Sequence, residues 1–370
     1  MDKKKIVFIG GHHNSALVVA KILKEKYKIY WFGHKHTMKG EKSLSLEYQE
    51  VKKERLPFFE IKTAKIYKNF NPFYFFKIIL AFFQSLRLLF KIKPQLIISF
   101  GGYISFPVLL AGIVLRIDYL LHEQTVRVGL ANRFFKKWAK KVLLTWPNSK
   151  KYFEDVKTQV IGLPLSDDFL KDQPINNAKS LFSSKLPVVM ITGGKQGSHV
   201  INKAVENNLK NFLLSFNLIH QTGGTIKTGD YKMLQDLKEK LPLNLKQRYI
   251  LKKSFFRKEM DKMIKLSDLI VGRSGAHIVY ELAALGKPAV FIPLPWASGN
   301  EQLENAKILE SNGSGLVLEQ KDFNSGTLLE SIKKVLMGIE EYRKNALKVK
   351  KLIKKDASQK MVEVIEDILN

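Results

Sequence analysis

A chain of 370 residues is too long for one ordinary hydrophobic core and points to two domains of Rossmann size. Lys and Arg number 62 against 34 Asp and Glu, a formal charge of +28, which favours an anionic partner (nucleic acid, an acidic membrane face or phosphorylated ligands) or else reflects scattered, solvated lysines. The absence of cysteine excludes disulfides and thiolate metal sites.

From the N-terminus, Met1-Asp-Lys-Lys-Lys5 runs directly into an apolar strand, Ile6 to Ile9. That leaves no room for the apolar core of a signal peptide, so the chain is expected to stay inside the cell. Further strands are predicted at Ile29 to Phe32, Leu96 to Ser99, Tyr119 to Leu121 and Val142 to Leu144, with helices over 15–26, 73–91, 107–115 and 129–139 between them. Such alternation means a parallel sheet covered by helices. Pro107 is expected to open the helix that follows the Gly101-Gly102 turn. In the apolar stretch 73–90, Lys77, Gln84 and Arg87 leave no run able to span a membrane. Flanked by Lys68, Lys91 and Lys93, this stretch reads either as a helix that docks on an anionic membrane or as one whose apolar face covers the sheet.

After Val160 to Pro164 the chain turns polar through Ser166-Asp-Asp168 and Asp172 to Asn177, and 164–186 is read as a linker. A second α/β series opens with Val188 to Thr192 and continues through Leu218-Ile219, Ile250-Leu251, Leu269 to Val271, Ala289 to Ile292 and Leu316 to Leu318. The tail from Leu328 is helical and Lys-rich. The expected domains are therefore 1–163 and 187–345, followed by a C-terminal helix over 346–370, for which a return to the first domain is one arrangement.

Three glycine pairs follow strands: Gly10-Gly11, Gly101-Gly102 and Gly193-Gly194. Each can open a helix whose N–H groups and dipole face an anion, or can simply be a turn that needs glycine geometry. Neither G-x-G-x-x-G nor G-x-x-x-x-G-K-[ST] occurs, which argues against a nicotinamide dehydrogenase and a P-loop nucleotidase. His12 and His13 follow the first pair. His12 is the better candidate for a general base near neutral pH, or for a helix cap, and His13 is expected to point elsewhere. With His34, His36 and His122 they fit no metal-ligand spacing. His122-Glu-Gln124 forms a polar cluster at a strand end. Glu281, on the helix after Arg273-Ser-Gly275, suits a ribose diol or a helix surface. Asn300-Glu-Gln302 at another helix start suits sugar hydroxyls or capping.

The ordered set Phe100-Gly-Gly-Tyr-Ile-Ser-Phe-Pro107, His122-Glu-Gln124, Gly129-Leu-Ala-Asn-Arg133, Gly193-Gly-Lys-Gln-Gly197, His220-Gln-Thr-Gly223, Arg273-Ser-Gly-Ala276 with Glu281-Leu-Ala-Ala284, and Gln302 with Asn305-Ala306 resembles the MurG family. These are N-acetylglucosaminyltransferases of peptidoglycan synthesis that convert lipid I to lipid II. The resemblance covers residues 6 to about 320. It implies a GT-B fold, two Rossmann-like α/β domains with parallel sheets facing across a cleft, and inverting transfer from UDP-GlcNAc that needs neither metal nor cofactor. It further implies an undecaprenyl-diphosphate-linked muramoyl-pentapeptide as acceptor, a peripheral position on the cytoplasmic face of an anionic membrane, and no nucleic-acid partner.

By the same resemblance His12 is the base toward the acceptor 4-hydroxyl. The acceptor side comprises Gly10, Gly11, Gly101, Gly102, Tyr103 and Glu123. The donor side comprises Gly193, Gly194, Lys195, Gln196 at the diphosphate, Phe256 at uracil, Glu281 at ribose, Glu301 and Gln302 at the sugar, with Arg273, Ser274, Gly275 and Thr125. The family's first loop, GGTGGH, is shortened here to Gly10-Gly11-His12. Thr125 stands for Asn, Val128 for Pro, Ser166 in a motif that supplies an arginine, and Lys195 for Ser. Lys195 can itself neutralise a diphosphate. These departures keep open a related transferase that uses a UDP-sugar with another lipid-linked acceptor, a polyprenyl-diphosphate sugar or diacylglycerol.

Overall fold

The computed structural model describes residues 2–36, 44–64, 72–171, 181–182, 184–224 and 228–370. Lys68 and the polar stretch 172–177 lie outside the described residues. By internal contact the chain divides into two compact units, Met1–Asp167 with Lys354–Asn370, and Asp168–Ile353.

In the first unit the chain runs β1 (Lys5–Ile9), α1 (His13–Leu23), β2 (Lys28–Gly33), α2 (Leu46–Lys53), β3 (Phe58–Glu60), α3 (Pro72–Ile92), β4 (Leu96–Ser99), α4 (Ser105–Val114), β5 (Asp118–Glu123), α5 (Leu130–Phe135), β6 (Lys141–Leu144) and β7 (Thr158–Val160). The second unit takes α6 (Asp167–Leu170), β8 (Val188–Thr192), α7 (His199–Ser215), β9 (Asn217–Gln221), α8 (Asp230–Glu239), α9 (Leu243–Lys246), β10 (Tyr249–Lys252), α10 (Arg257–Leu266) and β11 (Leu269–Gly272). It continues with α11 (Ala276–Leu285), β12 (Ala289–Phe291), α12 (Glu301–Glu310), β13 (Gly315–Val317), α13 (Ser325–Met337) and α14 (Ile339–Leu352). Then α15 (Ala357–Leu369) closes the chain within the first unit. The helical tail is thus three helices, interrupted at Gly338 and at the extended Ile353.

Both sheets are parallel throughout, ordered β3-β2-β1-β4-β5-β6-β7 and β10-β9-β8-β11-β12-β13. Parallel strands buried on both faces need uninterrupted apolar runs, which is why β1, β4 and β8 were legible. Alternate residues feed opposite layers. Ile6, Phe8, Leu96 and Ile98 pack with α1 and with Met361, Val362 and Ile365 of α15. Val7, Ile9, Ile97 and Tyr119 pack with Ala81 and Leu89 of α3 and Val108 and Leu109 of α4. In the second unit Val189, Ile191, Leu218 and Val271 pack with α7 and with Leu328, Ile332 and Val335 of α13.

Two strands escaped the sequence pattern. β3 and β7 are three-residue edges with half-buried side chains, too short to show a period. Pro107 does not open α4. The helix begins two residues earlier at Ser105, and Pro107 sits in its first turn, where a missing N–H costs no intrahelical bond.

In α3 one side covers the sheet and the other is left exposed. Ala81, Ser85, Leu89 and Ile92 are buried, whereas Phe75, Phe76, Leu80, Phe83 and Phe90 are each more than half exposed. Among the described residues no helix is long and apolar enough to cross a membrane.

Candidate active site

In each sheet the strand order reverses beside one pair of neighbours, β1 with β4 and β8 with β11. The carboxyl ends of such a pair border the crevice in which open α/β sheets bind ligands. All three glycine pairs fall on these ends.

In the first unit, Gly10-Gly11-His12 leaves β1 and Gly101-Gly102-Tyr103 leaves β4. His12 stands at the N-cap position of α1 but makes no side-chain capping bond, and its ring is exposed. Imidazole Cδ2 lies 3.8 Å from where a Cβ on Gly102 would stand, so the topology brings the candidate base to the second glycine turn. His13 turns away, its Nε2 3.0 Å from Glu50 Oε2, as the sequence reading expected. Gly10 has a different reason for being glycine. A Cβ there would fall 1.6 Å from Oε1 of buried Glu47, which accepts a hydrogen bond from Trp31 Nε1 at 2.8 Å. The space beside Gly10 is therefore filled by α2 of the chain itself.

The Gly101-Gly102 turn is held by two buried serines. Gly101 N donates to Ser99 Oγ (3.1 Å), Ser99 Oγ donates to Ser105 Oγ (2.8 Å), and Ser105 Oγ donates to the Gly101 carbonyl (2.7 Å). Tyr103 is 40% exposed and stacks on His34 at 5.0 Å between ring centroids. Burial lowers the His34 pKa, so its ring is neutral near neutral pH.

The polar cluster closing β5 is buried. His122 Nε2 lies 2.9 Å from the Gly162 carbonyl. Glu123, 4% exposed, accepts from Thr125 N (3.1 Å) and Thr125 Oγ1 (2.9 Å) on one oxygen, and from Gly129 N (2.9 Å) and Asn132 Nδ2 (3.0 Å) on the other. Burial pushes its carboxyl above the ordinary range against the bonds that favour the anion. Asn132 Nδ2 also lies 3.3 Å from the position of a Cβ on Gly101, so Glu123 reaches the glycine turn through Asn132. Thr125 faces Glu123 and the Arg127 carbonyl. Glu123 and Thr125, read from sequence as acceptor and donor contacts, are turned inward in this structure and brace the segment 123–132.

In the second unit, Gly193-Gly194-Lys195-Gln196 leaves β8. Gly194 has φ +84° with open space on its Cβ side, and its N donates to Thr192 Oγ1 at 3.0 Å. Lys195 and Gln196 are exposed on the turn. Arg273 is turned inward: Nη1 donates to the Ile292 and Pro293 carbonyls (2.9 and 3.3 Å) and Nη2 to Ser198 Oγ (2.9 Å), tying the ends of β8, β11 and β12 together. Ser274, before Gly275, donates to the Gln302 carbonyl (2.7 Å), and Gln302 Oε1 accepts from Leu294 N (3.0 Å). Glu301 opens α12. Glu281 is no surface residue. It is 6% exposed, with Oε1 3.5 Å from His277 Nδ1 one turn away. Phe256, before α10, is 74% exposed, while Phe255 N donates to Gln221 Oε1 at 2.9 Å.

Several bracing residues had no role in the sequence reading: Glu47, Asn132, Asn202, His220 and Gln221. For the last two a signal existed. His220-Gln-Thr-Gly223 closes an apolar strand with polar residues just as His122-Glu-Gln124 does.

The glycosyltransferase family 28 N-terminal domain matches residues 9–144 and its C-terminal domain residues 188–361, in the order of the two sheets. The chain belongs to glycosyltransferase family 28. Within it, a Clostridium perfringens (strain SM101) relative is 30% identical over 95% of each chain, and one from Borreliella burgdorferi (strain B31) is 30% identical over 100% of this chain and 98% of its own. Both are named UDP-N-acetylglucosamine–N-acetylmuramyl-(pentapeptide) pyrophosphoryl-undecaprenol N-acetylglucosamine transferase. The crystal structure of Acinetobacter baumannii MurG superposes with a TM-score of 0.71 at 26% identity, covering 98% of this chain and 99% of that one. The MurG resemblance and the two-domain Rossmann-like architecture read from the motifs both hold.

Proposed function

We infer that this chain transfers N-acetylglucosamine from UDP-GlcNAc to the 4-hydroxyl of a lipid-linked muramoyl-pentapeptide, the step from lipid I to lipid II. The observation that carries this reading is the full-length similarity to transferases of that name, with glycine turns at both strand-order reversals. His12, exposed beside Gly102, takes the hydroxyl proton as the acceptor oxygen attacks C1 of the sugar from the face opposite UDP. The C1–O bond to the diphosphate breaks with its electron pair on the leaving oxygen, and the configuration at C1 inverts. N–H groups of the turn after β8, the start of α7 and Lys195 stabilise that charge. Glu281 holds the ribose, Phe256 faces uracil, and Glu301 and Gln302 hold the sugar hydroxyls.

The acceptor diphosphate faces Gly101, Gly102 and Tyr103. Its lipid tail requires an apolar phase, and the exposed aromatic face of α3, with Lys77, Arg87, Lys91 and Lys93 on or beside it, suits docking on an anionic cytoplasmic leaflet. Purified protein supplied with UDP-GlcNAc and a lipid I analogue is expected to yield the β-1,4-linked disaccharide lipid and UDP in equal amounts. Turnover of UDP-GlcNAc only with a different lipid acceptor would overturn the acceptor assignment.

A further inference from the structure

The reading above gives the turn after β8 to a diphosphate and Phe256 to uracil, and leaves Gln221 unused. Gln221 closes β9, is 2% exposed, and has both ends of its amide engaged. Nε2 donates to Thr192 Oγ1 (3.0 Å) and to the Gly194 carbonyl (3.1 Å), and Oε1 accepts from Phe255 N (2.9 Å). Because a carbonyl only accepts and a backbone N–H only donates, these partners fix which end of the amide is nitrogen. One buried side chain thus joins the glycine turn to the segment entering α10.

The rest of the strand end forms a template for the same turn. Gly224 N donates to the Lys195 carbonyl (3.3 Å), and Gly223 packs so closely on Gly197 that a Cβ on it would fall 2.1 Å from Gly197 N. Asn202 Nδ2 holds the Thr222 carbonyl at 3.0 Å, and its own oxygen faces His220 Nε2 at 3.1 Å.

We propose that Gln221 is a positioning residue for nucleotide-sugar binding, locking the diphosphate turn and the uracil-side segment in one relative arrangement. The proposal rests on the donor reading above. It is tested by titrating UDP and uridine calorimetrically into the full chain carrying Gln221→Ala or Thr192→Val. Gln221→Ala releases both segments, so UDP and uridine each weaken by about tenfold or more, the scale of a lost buried hydrogen bond or two. Thr192→Val removes the hydroxyl that receives Gln221 Nε2 and Gly194 N but leaves the Phe255 bond. UDP weakens by about tenfold while uridine binds as before. Uridine affinity unchanged in Gln221→Ala, or equal losses of both ligands in Thr192→Val, would overturn the proposal. Failure of the unaltered chain to bind UDP would overturn the donor reading itself, and the proposal with it.

Discussion

In the first unit the strand end beside the glycine turn is braced by a carboxylate, Glu123, and in the second by a neutral amide, Gln221. Both are buried, and both use every side-chain oxygen to hold backbone or neighbouring side chains. The difference lies in charge. A carboxylate accepts four bonds at once and organises a loop made of donors, Thr125, Gly129 and Asn132, but it carries a desolvation cost. An amide donates and accepts, so it can bridge a carbonyl on one segment to an N–H on another without placing a negative charge under the turn proposed to hold a diphosphate. On the reading proposed above, acceptor chemistry falls to the first unit and donor binding to the second.

The largest test of that division is His12→Ala. Loss of a general base is expected to slow transfer by about 100-fold to 10,000-fold while UDP affinity, which the proposed reading gives to the second unit, stays unchanged. Measured kcat alongside a UDP titration checks both halves. Next comes Glu123→Ala, which leaves the donors of Thr125, Gly129 and Asn132 buried without their acceptor. It should lower the stability of the first unit by about 2–4 kcal/mol in urea unfolding followed by amide exchange at β5, with little change at β9.

The two units should also respond oppositely to pH. Burial drives the His220 pKa down to about 3. Its unfolded counterpart protonates near 6.5, so the second unit holds its full stability above that value. It then loses about 1.4 kcal/mol per pH unit as the pH falls toward the folded value. Glu123 behaves in the reverse sense. Its folded pKa is raised, so its contribution is complete below the ordinary carboxyl range and is lost as pH rises through the folded value. Exchange at β9 and β5 measured across acidic pH should show slopes of opposite sign, with His220→Asn flattening the first and Glu123→Gln the second. Parallel slopes would break the comparison.

The smallest effect concerns α3. Phe76→Ser with Phe83→Ser should reduce partition onto phosphatidylglycerol vesicles by about tenfold to 100-fold, since each ring is only a little over half exposed and transfers about half of the roughly 1.5–3 kcal/mol of full burial. UDP affinity should not move. Vesicle sedimentation in low and high salt checks it, because the basic residues beside the rings add a screened attraction.

Much of this was legible in the chain. Continuous apolar runs gave β1, β4 and β8, and the glycine pairs marked strand ends that the sheet order places at both reversal points. The ordered motifs gave the family. The braces were not legible, because their partners are distant in sequence: Glu47 meets Gly10, Gln221 meets Thr192 and Phe255, and nothing local marks either contact. The role of α3 was undecided for a related reason. Its apolar residues are not confined to one face, and only packing shows which side the sheet takes.

The division of labour is tested most directly by single-turnover transfer to a lipid I analogue, comparing the unaltered chain with His12→Ala and Gln221→Ala as UDP-GlcNAc is raised to saturation. The account predicts that Gln221→Ala regains most of its rate at saturation, because its defect is in donor binding, whereas His12→Ala stays slow at every concentration. Recovery of His12→Ala by added donor, or a full rate in that variant, would contradict it.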